Sequence, residues 1–385
     1  MKKKVLFIIQ SIWVGGTNSA LCSLYNNLDK SRYDISVWAL DSFGGRKVDY
    51  REAMLTDQGF VAAYYSSGHY DNKRQKIGCF IVKSLKKIIK IFYKEFDEYV
   101  AKKAIGKIEK KYQFDTVVAY NEGVVPFTSF FKCKKKIAWV HCDYNKHLPI
   151  GKTEETYYSR YHTIVTVSQY TTNIIKKRYP NLADKCVSIY NLLDTAKVQN
   201  LADACIDDYR FITDKFTIIS VGRIAPVKQF RLIPQIAAKL VEQGCDFRWY
   251  IIGPEFDKKE SKNIIDNIAT YNVSNYVQWL GGKNNPYPYF KASNLYVCTS
   301  ESEACPMVFI EAKTLETPIV TSDFPAAKEF VHQGIDGFIT AIEDIANPIA
   351  KIIKDEKLQA TLHANVASYS YSNLDILSQI DLILK

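Results

Sequence analysis

Short apolar runs that alternate with helix-like stretches constrain this chain more than any other feature of its sequence. The run Val5–Ile9 is continuous and apolar, as expected of a parallel strand that is covered on both faces. Further strands are predicted at Ile35–Leu40, Thr116–Ala119, Ile137–His141 and Ile164–Val167. Because helix-like stretches lie between most of them, the pattern predicts a doubly wound parallel sheet.

The same alternation starts again after residue 194. The second series of predicted elements comprises strands at Phe216–Val221, Phe247–Ile252, Val277–Leu280, Asn294–Cys298 and Pro318–Val320, and helices at Gln229–Gln243 and Val308–Leu315. A chain of 385 residues is too long for one core and suits two domains. We therefore expect an α/β protein with domains at residues 1–190 and 191–365.

The composition excludes several classes of protein. With 47% hydrophobic and 24% charged residues the chain is globular, not disordered. The nine cysteines contain no Cys-x-x-Cys pair, which favours free thiols in a reducing cytosol over disulfides or a metal site. The apolar run after Lys2–Lys4 is interrupted by Gln10 and Ser11, so we interpret it as a strand and not as a signal peptide. No apolar stretch reaches the roughly 20 residues that span a bilayer, and we expect a cytoplasmic protein.

Positive charge is concentrated in one segment. The net charge is +10, and residues 73–111 contain thirteen Lys or Arg against four acidic residues. Within this segment, residues 77–100 are predicted to form one basic amphipathic helix with apolar side chains at Ile77, Ile81, Leu85, Ile88, Phe92, Phe96 and Tyr99. The lysines either face solvent or dock residues 73–111 on an anionic membrane surface. Nucleic acid is not expected, because no aromatic residues are interleaved for base stacking and no known module is present.

The segment Ser300–Ala312 places two carboxylates where a sugar could bind. Glu303 lies in a loop after a predicted strand, and Glu311 lies in the helix that follows. Pro306 suits the start of that helix, whose free N–H groups attract anions and hydroxyls. Carboxylates suit polyols because they accept hydrogen bonds without competing as donors.

A second element, Ser220–Lys228, follows the first strand of the second domain. Gly222 allows close approach of backbone, while Arg223 and Lys228 put two cations at the carboxyl end of a parallel strand, where ligands bind in open sheets. Two cations can hold a diphosphate and stabilise it as it leaves. The chain has no Asp-x-Asp motif, which disfavours a diphosphate bound through a metal ion.

Taken together, these elements resemble the family 4 glycosyltransferases. The resemblance depends on Arg223 and Lys228, on the Glu303-x7-Glu311 element, on Gly15-Gly16, and on His141 in Trp139-Val-His-Cys-Asp143. It extends over nearly the whole chain through Val187–Asp194, Ile251–Gly253, Leu280-Gly281, Pro318–Glu329 and Asp336-Gly337. It implies a GT-B fold, in which two Rossmann-like domains have parallel sheets that face each other across a cleft. It also implies that a helix within residues 366–385 packs back on the first domain.

The resemblance implies a role for each matching residue. Arg223 and Lys228 hold the donor diphosphate, Glu303 binds the transferred sugar, and Glu311 binds the ribose. The segment made of Cys305, Pro306, Met307 and Val308 binds sugar or phosphate through backbone N–H groups. Gly15 and Gly16 close over the phosphates, and His141 lies near the reacting sugar.

The implied reaction is a retaining transfer of a hexose or N-acetylhexosamine from a nucleotide sugar, usually a UDP sugar, without cofactor or metal ion. The basic segment favours a lipid-linked saccharide acceptor, as in bacterial surface polysaccharide biosynthesis, and a peripheral location at the inner face of the cell membrane. The first loop departs from the common Gly-Gly-x-Glu pattern, because it reads Gly15-Gly16-Thr17-Asn18, and this departure leaves the acceptor contacts open.

Two alternatives stay open. Another GT-B enzyme, such as a nucleotide-sugar epimerase or a phosphorylase, is not expected to have this set of Arg, Lys and two Glu in this order. A non-catalytic GT-B-fold partner of a transferase at a membrane is expected to have lost Arg223, Lys228 or Glu311, and all three are present.

Overall fold

The computed structural model describes residues 1–11, 15–41, 54–55, 60–66, 72–93, 95–146 and 154–385. The chain forms two compact units, which are residues 1–192 with 373–385 (the first domain) and residues 193–372 (the second domain). The sequence pattern predicts these boundaries at residues 190 and 365.

A parallel sheet of seven strands forms the centre of the first domain, in the order β3-β2-β1-β4-β5-β6-β7. The strands are β1 (Lys3–Ser11), β2 (Tyr33–Asp41), β3 (Met54–Leu55), β4 (Thr116–Ala119), β5 (Lys135–Val140), β6 (Thr163–Thr166) and β7 (Cys186–Ser188). The apolar run Val5–Ile9 lies in β1 and is at most 1% exposed, as a central strand covered on both faces requires. The sheet reverses its winding between β1 and β4, which are neighbours in the sheet but not in the chain.

Helices connect the strands of the first domain. The helices are α1 (Gly16–Asn27), α2 (Phe60–Tyr65), α3 (Lys73–Phe92), α4 (Phe96–Lys111), α5 (Val125–Thr128), α6 (Glu154–Ser159) and α7 (Gln169–Arg178). Side chains of β1, β4, β5 and β6 meet α4 and α7 in one apolar core.

The prediction of a single helix over residues 77–100 was wrong. Helix α3 ends at Phe92, and Tyr93 is extended at φ −136° and ψ 94°. The chain turns there, and Asp97 in the first turn of α4 accepts a hydrogen bond from Lys90 Nζ at 2.5 Å. Since neither Pro nor Gly stands at the break, tertiary contacts override the local pattern.

The second domain contains a parallel sheet of six strands in the order β10-β9-β8-β11-β12-β13. The strands are β8 (Phe216–Val221), β9 (Phe247–Ile252), β10 (Val277–Trp279), β11 (Leu295–Cys298), β12 (Ile319–Ser322) and β13 (Gly337–Thr340). The helices are α8 (Thr195–Ala202), α9 (Ile233–Glu242), α10 (Lys258–Thr270), α11 (Tyr287–Lys291), α12 (Met307–Thr314), α13 (Ala346–Lys354) and α14 (Glu356–Ala367). The two parallel α/β domains confirm the predicted fold class.

A last helix, α15 (Asn373–Leu384), belongs to the first domain. The Tyr33 hydroxyl donates a hydrogen bond to Asp381 Oδ1 at 2.6 Å, and Arg32 forms an ion pair with the same carboxylate at 2.8 Å. These contacts fasten α15 to the start of β2. None of the helices in the described ranges combines the length and apolar character of a membrane span.

Candidate functional site

The second sheet reverses its winding between β8 and β11, which pair with each other although they are far apart in the chain. The loop after β8 contains Arg223 and Lys228, and the loop after β11 contains Glu303. Ligands of open α/β sheets bind where the winding reverses, at the carboxyl ends of the strands. Arg223, Lys228 and Glu303 therefore lie in loops at the carboxyl edge of the second sheet, where a ligand is expected.

Gly253 lets the backbones beyond β8 and β9 meet closely. A Cβ atom at this position would lie 1.7 Å from the carbonyl oxygen of Gly222, so no larger residue fits. The parallel ladder continues past the strand ends as an isolated bridge between Ile224 and Glu255. The backbone at Arg223 is therefore held in line with β8.

The position of Lys228 is fixed by the turn that follows. Residues Pro226–Lys228 form a 3-10 turn, and Gln229 adopts the left-handed region at φ 51°, which reverses the chain. The Thr299 hydroxyl donates to the Lys228 carbonyl at 2.7 Å, and the Glu301 N–H donates to the Val227 carbonyl at 2.8 Å. These two bonds join the loop after β8 to the loop after β11.

Lys228 and Glu303 form an ion pair. Lys228 Nζ lies 2.6 Å from Glu303 Oε1, and the two side chains are only 18% and 17% exposed. The Ser300 hydroxyl donates to the same carboxylate oxygen at 2.7 Å. Burial lowers the pKa of Lys228, but the Glu303 carboxylate outweighs this effect, so that the pKa is raised and the ammonium stays charged.

Arg223 is more accessible than Lys228. It is exposed, and its guanidinium lies over the Phe256 ring, 4.7 Å from the centroid. Phe256 is 60% exposed. A planar guanidinium on an aromatic ring at the surface keeps its N–H edge available to a phosphate.

Helix α12 begins at Met307, directly after the loop that contains Glu303. Pro306 precedes the helix, and no side chain in the described part of the chain caps it. Pro306 is buried, whereas Cys305, Met307 and Val308 are half-buried. An uncapped helix start with free N–H groups is suited to bind an anion.

Glu311, one turn into α12, has a different environment from Glu303. Its Oε1 accepts a hydrogen bond from the Tyr287 hydroxyl at 3.2 Å. Burial raises the pKa of Glu311 to about 7, although Tyr287 and the charge of Lys228 oppose the shift. Near neutral pH this carboxyl can therefore accept a hydrogen bond or carry a proton and donate one.

In the first domain, Gly15 and Gly16 lie where α1 begins. Gly15 is the residue before the helix and has an extended backbone, and α1 starts at Gly16. The Asn18 amide donates to the Ser11 carbonyl at 3.1 Å. Asn18, which stands where the family pattern has a glutamate, therefore ties the start of α1 to the end of β1.

His141 follows β5. Its backbone N–H donates to Glu122 Oε2 at 3.2 Å, and the centroid of its ring lies 4.6 Å from that of Tyr120, the residue after β4. Burial lowers the pKa of the His141 imidazole to about 3, so the ring is neutral at pH 7. In the described ranges, neither His141 Nε2 nor Asn121 Oδ1 has a hydrogen-bond partner, although both atoms are buried. A buried polar atom without a partner in a native protein needs an explanation, such as strain, a catalytic role or a bound water or ion.

The structure thus brings together Lys228 and Glu303, whereas the roles assigned to all the predicted site residues stay predictions. Three polar side chains were not foreseen, namely Ser300 and Tyr287 in the second domain and Asn121, which follows β4, in the first. No local signal marks Tyr287 or Asn121, but Ser300 lies three residues before Glu303 in the motif. The described residues contain no disulfide bond, and they contain no cluster of three or more His, Cys, Asp or Glu arranged for a metal ion.

We expect Glu311→Gln to flatten the pH dependence of stability. Because the folded pKa is raised above its ordinary value of 4.5, the stabilisation is complete below that value and is lost as the pH rises through about 7. Relative to the variant, the wild type should lose about 2 kcal/mol of unfolding free energy between roughly pH 5 and pH 8. Urea unfolding across this range measures the difference. Glu343→Gln, an exposed carboxylate of the same domain, is the control, and parallel profiles for wild type and Glu311→Gln would contradict the expectation.

Comparisons with known proteins agree with this geometry. Residues 204–368 match the family described as "Glycosyl transferases group 1". Among curated relatives, the uncharacterized glycosyltransferase MJ1059 of Methanocaldococcus jannaschii is 26% identical over 243 residues, covering 57% of this chain and 58% of the relative. The capsular polysaccharide biosynthesis glycosyltransferase CapM of Staphylococcus aureus is 30% identical over 164 residues, with 41% and 42% covered. The UDP-Gal:alpha-D-GlcNAc-diphosphoundecaprenol alpha-1,3-galactosyltransferase of Escherichia coli is 24% identical over 175 residues, with 44% of each covered.

A solved structure shares the whole fold. Anabaena Alr3699/HepE, crystallised in complex with UDP and glucose, superposes with a TM-score of 0.73 at 19% identity and covers 99% of both chains. Residues 204–368, which make up most of the second domain, thus match the group 1 glycosyltransferase family, and the chain as a whole has the GT-B fold.

Proposed function

We propose that this chain transfers a hexose or N-acetylhexosamine from a UDP sugar to a saccharide acceptor, with retention of anomeric configuration. The Lys228–Glu303 ion pair beside the uncapped start of α12 is the observation on which the proposal depends. A cation, a carboxylate that could accept hydrogen bonds from sugar hydroxyls, and a helix start without a side-chain cap lie within one loop system. A nucleoside diphosphate sugar offers the complementary groups, which are two phosphates and a polyol.

The donor is assigned as a UDP sugar on two grounds. Anabaena HepE was crystallised with UDP and glucose, and the E. coli relative is named for a UDP-galactose donor. In this chain Arg223, Lys228 and the start of α12 supply the positive charge that a diphosphate needs, so we propose binding without a metal ion. Glu311 has a raised pKa of about 7 and suits the ribose hydroxyls as either acceptor or donor.

In the proposed reaction, the bond between the anomeric carbon and the diphosphate oxygen breaks while the acceptor oxygen bonds to the same face. The acceptor hydroxyl passes its proton to the departing phosphate oxygen. Lys228 and Arg223 stabilise the negative charge that develops on that phosphate. His141, which is neutral at pH 7, contributes a hydrogen bond and not a proton, and its buried Nε2 is the atom available for it.

The acceptor is proposed to be a lipid-linked saccharide, in the assembly of a bacterial surface polysaccharide. The E. coli relative is named for a diphosphoundecaprenol acceptor and the S. aureus relative for capsular polysaccharide biosynthesis. A lipid-linked acceptor places the reaction at the cytoplasmic face of a membrane.

Donor binding tests the proposal first. In a calorimetric titration we expect UDP to bind without magnesium and more tightly than GDP or ADP. Lys228→Ala should weaken UDP binding about tenfold or more, because a charge-assisted hydrogen bond is lost and Glu303 is left unpaired near the phosphates. Lys258→Ala, an exposed lysine of α10, should bind UDP like the wild type. If no nucleotide binds, the non-catalytic interpretation is favoured instead.

Glu303→Ala separates sugar binding from phosphate binding. The substitution frees Lys228 from its 2.6 Å contact, so UDP should bind as tightly as before or more tightly. A UDP sugar should lose its advantage over UDP, and turnover should fall about a hundredfold, because the contact to the sugar hydroxyls is absent. Glu301→Ala, two residues away, is the matched control. Near-normal turnover in Glu303→Ala would remove Glu303 from the sugar site.

Retention is tested on the product. After transfer to a soluble lipid-linked saccharide analogue, proton NMR should show the anomeric coupling constant of the donor configuration in the new linkage. An inverted anomeric centre would contradict attack from the face that the phosphate leaves, and with it the proposed mechanism.

A further inference from the structure

Helix α3 presents an apolar face to solvent. Seven large apolar side chains of this helix are 50% to 86% exposed, namely Ile77, Phe80, Ile81, Leu85, Ile88, Ile91 and Phe92. They recur at intervals of three and four residues, so they lie on one side of the helix. An apolar patch of this length on the surface of a protein commonly marks a contact with a partner or a membrane.

The other side of α3 packs against the first domain. Cys79 is fully buried against Ala62 and Ala63 of α2, with Val82 beside it. An ordinary surface helix turns its apolar side inward and its polar side outward. In α3 the inward side is narrow and contains small residues, whereas the large apolar residues point away from the domain.

Lysines follow one edge of this apolar face. Lys76, Lys83, Lys87 and Lys90 stand seven, four and three residues apart and therefore form a row along α3. Beside the row is a hollow of about 620 Å³, which is lined by Tyr64, Tyr65, Ser66, Lys83, Lys86, Lys87 and Lys90. Several positive charges thus border the apolar face on one side.

Of the four lysines that line this hollow, two form ion pairs with Asp97 and two do not. Asp97 forms ion pairs with Lys86 at 3.2 Å and Lys90 at 2.5 Å, and Lys86 Nζ also lies 4.0 Å from the centroid of the Tyr64 ring. Those two lysines are held toward the domain. Lys83 and Lys87 have no acidic partner within the described residues, so their charges remain available to an anionic partner.

We propose that α3 docks the first domain on an anionic phospholipid surface, with the apolar face in the bilayer interface and Lys83 and Lys87 on the headgroups. The combination of an apolar face, a cationic edge and a length of 20 residues is that of a helix lying in the interface plane. The aromatic residues just beyond α3, Tyr93 and Tyr99, are 44% and 48% exposed and suit the headgroup level. Docking would give access to a lipid-linked acceptor, and only this purpose rests on the proposed function.

A second copy of the chain fits this surface less well. Pairing two such faces would bring two rows of lysines to one interface, where like charges repel. Anionic headgroups instead match the charge of the row while the acyl region accepts the apolar side chains.

The test is flotation of the full chain with lipid vesicles, without donor or acceptor. The wild type should float with vesicles of phosphatidylcholine containing phosphatidylglycerol and much less with phosphatidylcholine alone. A variant with Phe80, Ile88 and Ile91 changed to Ser should bind the anionic vesicles about tenfold less or weaker still, because three exposed apolar side chains no longer enter the interface. A variant with Lys83→Glu and Lys87→Glu should lose the preference for anionic vesicles.

The matched control variants have the same kinds of substitution at exposed residues outside α3. Ile265, Ile335 and Leu382 are 56%, 56% and 70% exposed, and their triple change to Ser should leave vesicle binding unchanged. Lys258→Glu with Lys262→Glu on α10 should also leave it unchanged. Equal unfolding midpoints for all variants would show that binding, not folding, is altered.

Two outcomes would overturn the inference. One is vesicle binding by the Phe80, Ile88 and Ile91 variant that equals that of the wild type. The other is a wild type that sediments as a dimer, does not float, and becomes monomeric in that variant, which would assign the face to a second copy. Because UDP binding is measured separately, the failure of docking and the failure of the transferase proposal are distinguishable.

Discussion

A single backbone contact organises the carboxyl edge of the second sheet. At Gly253 the chain passes so close to the Gly222 carbonyl that a Cβ atom would lie 1.7 Å from the oxygen. This contact lets the ladder continue beyond β8 and β9 to Ile224 and Glu255, and the chain then enters the turn that ends at Lys228. A larger residue at 253 would separate the strand ends and move the cation that depends on them. The position of Lys228 therefore depends on the glycine at position 253.

The two carboxylates of the site have opposite surroundings although both are glutamates. Glu303 shares its Oε1 between an ammonium and a hydroxyl, from Lys228 and Ser300. Glu311 has a phenol as its hydrogen-bond donor, and burial raises its pKa to about 7. The ion pair also means that Lys228 already has a partner before any phosphate arrives. In the proposed reaction, the donor diphosphate would replace Glu303 as the partner of Lys228 and would release the Glu303 carboxylate to the sugar.

The sequence alone predicted the elements that depend on local pattern. Continuous apolar runs predicted the central strands, and the spacing from Glu303 to Glu311 predicted a loop followed by a helix. The contact between Lys228 and Glu303 joins residues 75 positions apart, and the order of strands in the sheet decides it, not the spacing in the chain. Strands β7 and β13 have three and four residues and mix polar with apolar side chains, so their pattern was too short to recognise. Beyond the break at Tyr93, Asp97 contacts Lys90, an arrangement that the helical spacing could not reveal.

The one-sided row of lysines on α3 has a consequence for orientation. In an interface, the apolar face sets the depth of the helix, and a length of about 30 Å for 20 residues sets its tilt. A cylinder with only an apolar stripe could still roll about its axis, but charge along one edge removes that freedom as well. With depth, tilt and roll all fixed, the first domain would keep the same face toward the bilayer. Its search for an acceptor would then become two-dimensional diffusion in the plane of the membrane, with every encounter starting from the same orientation.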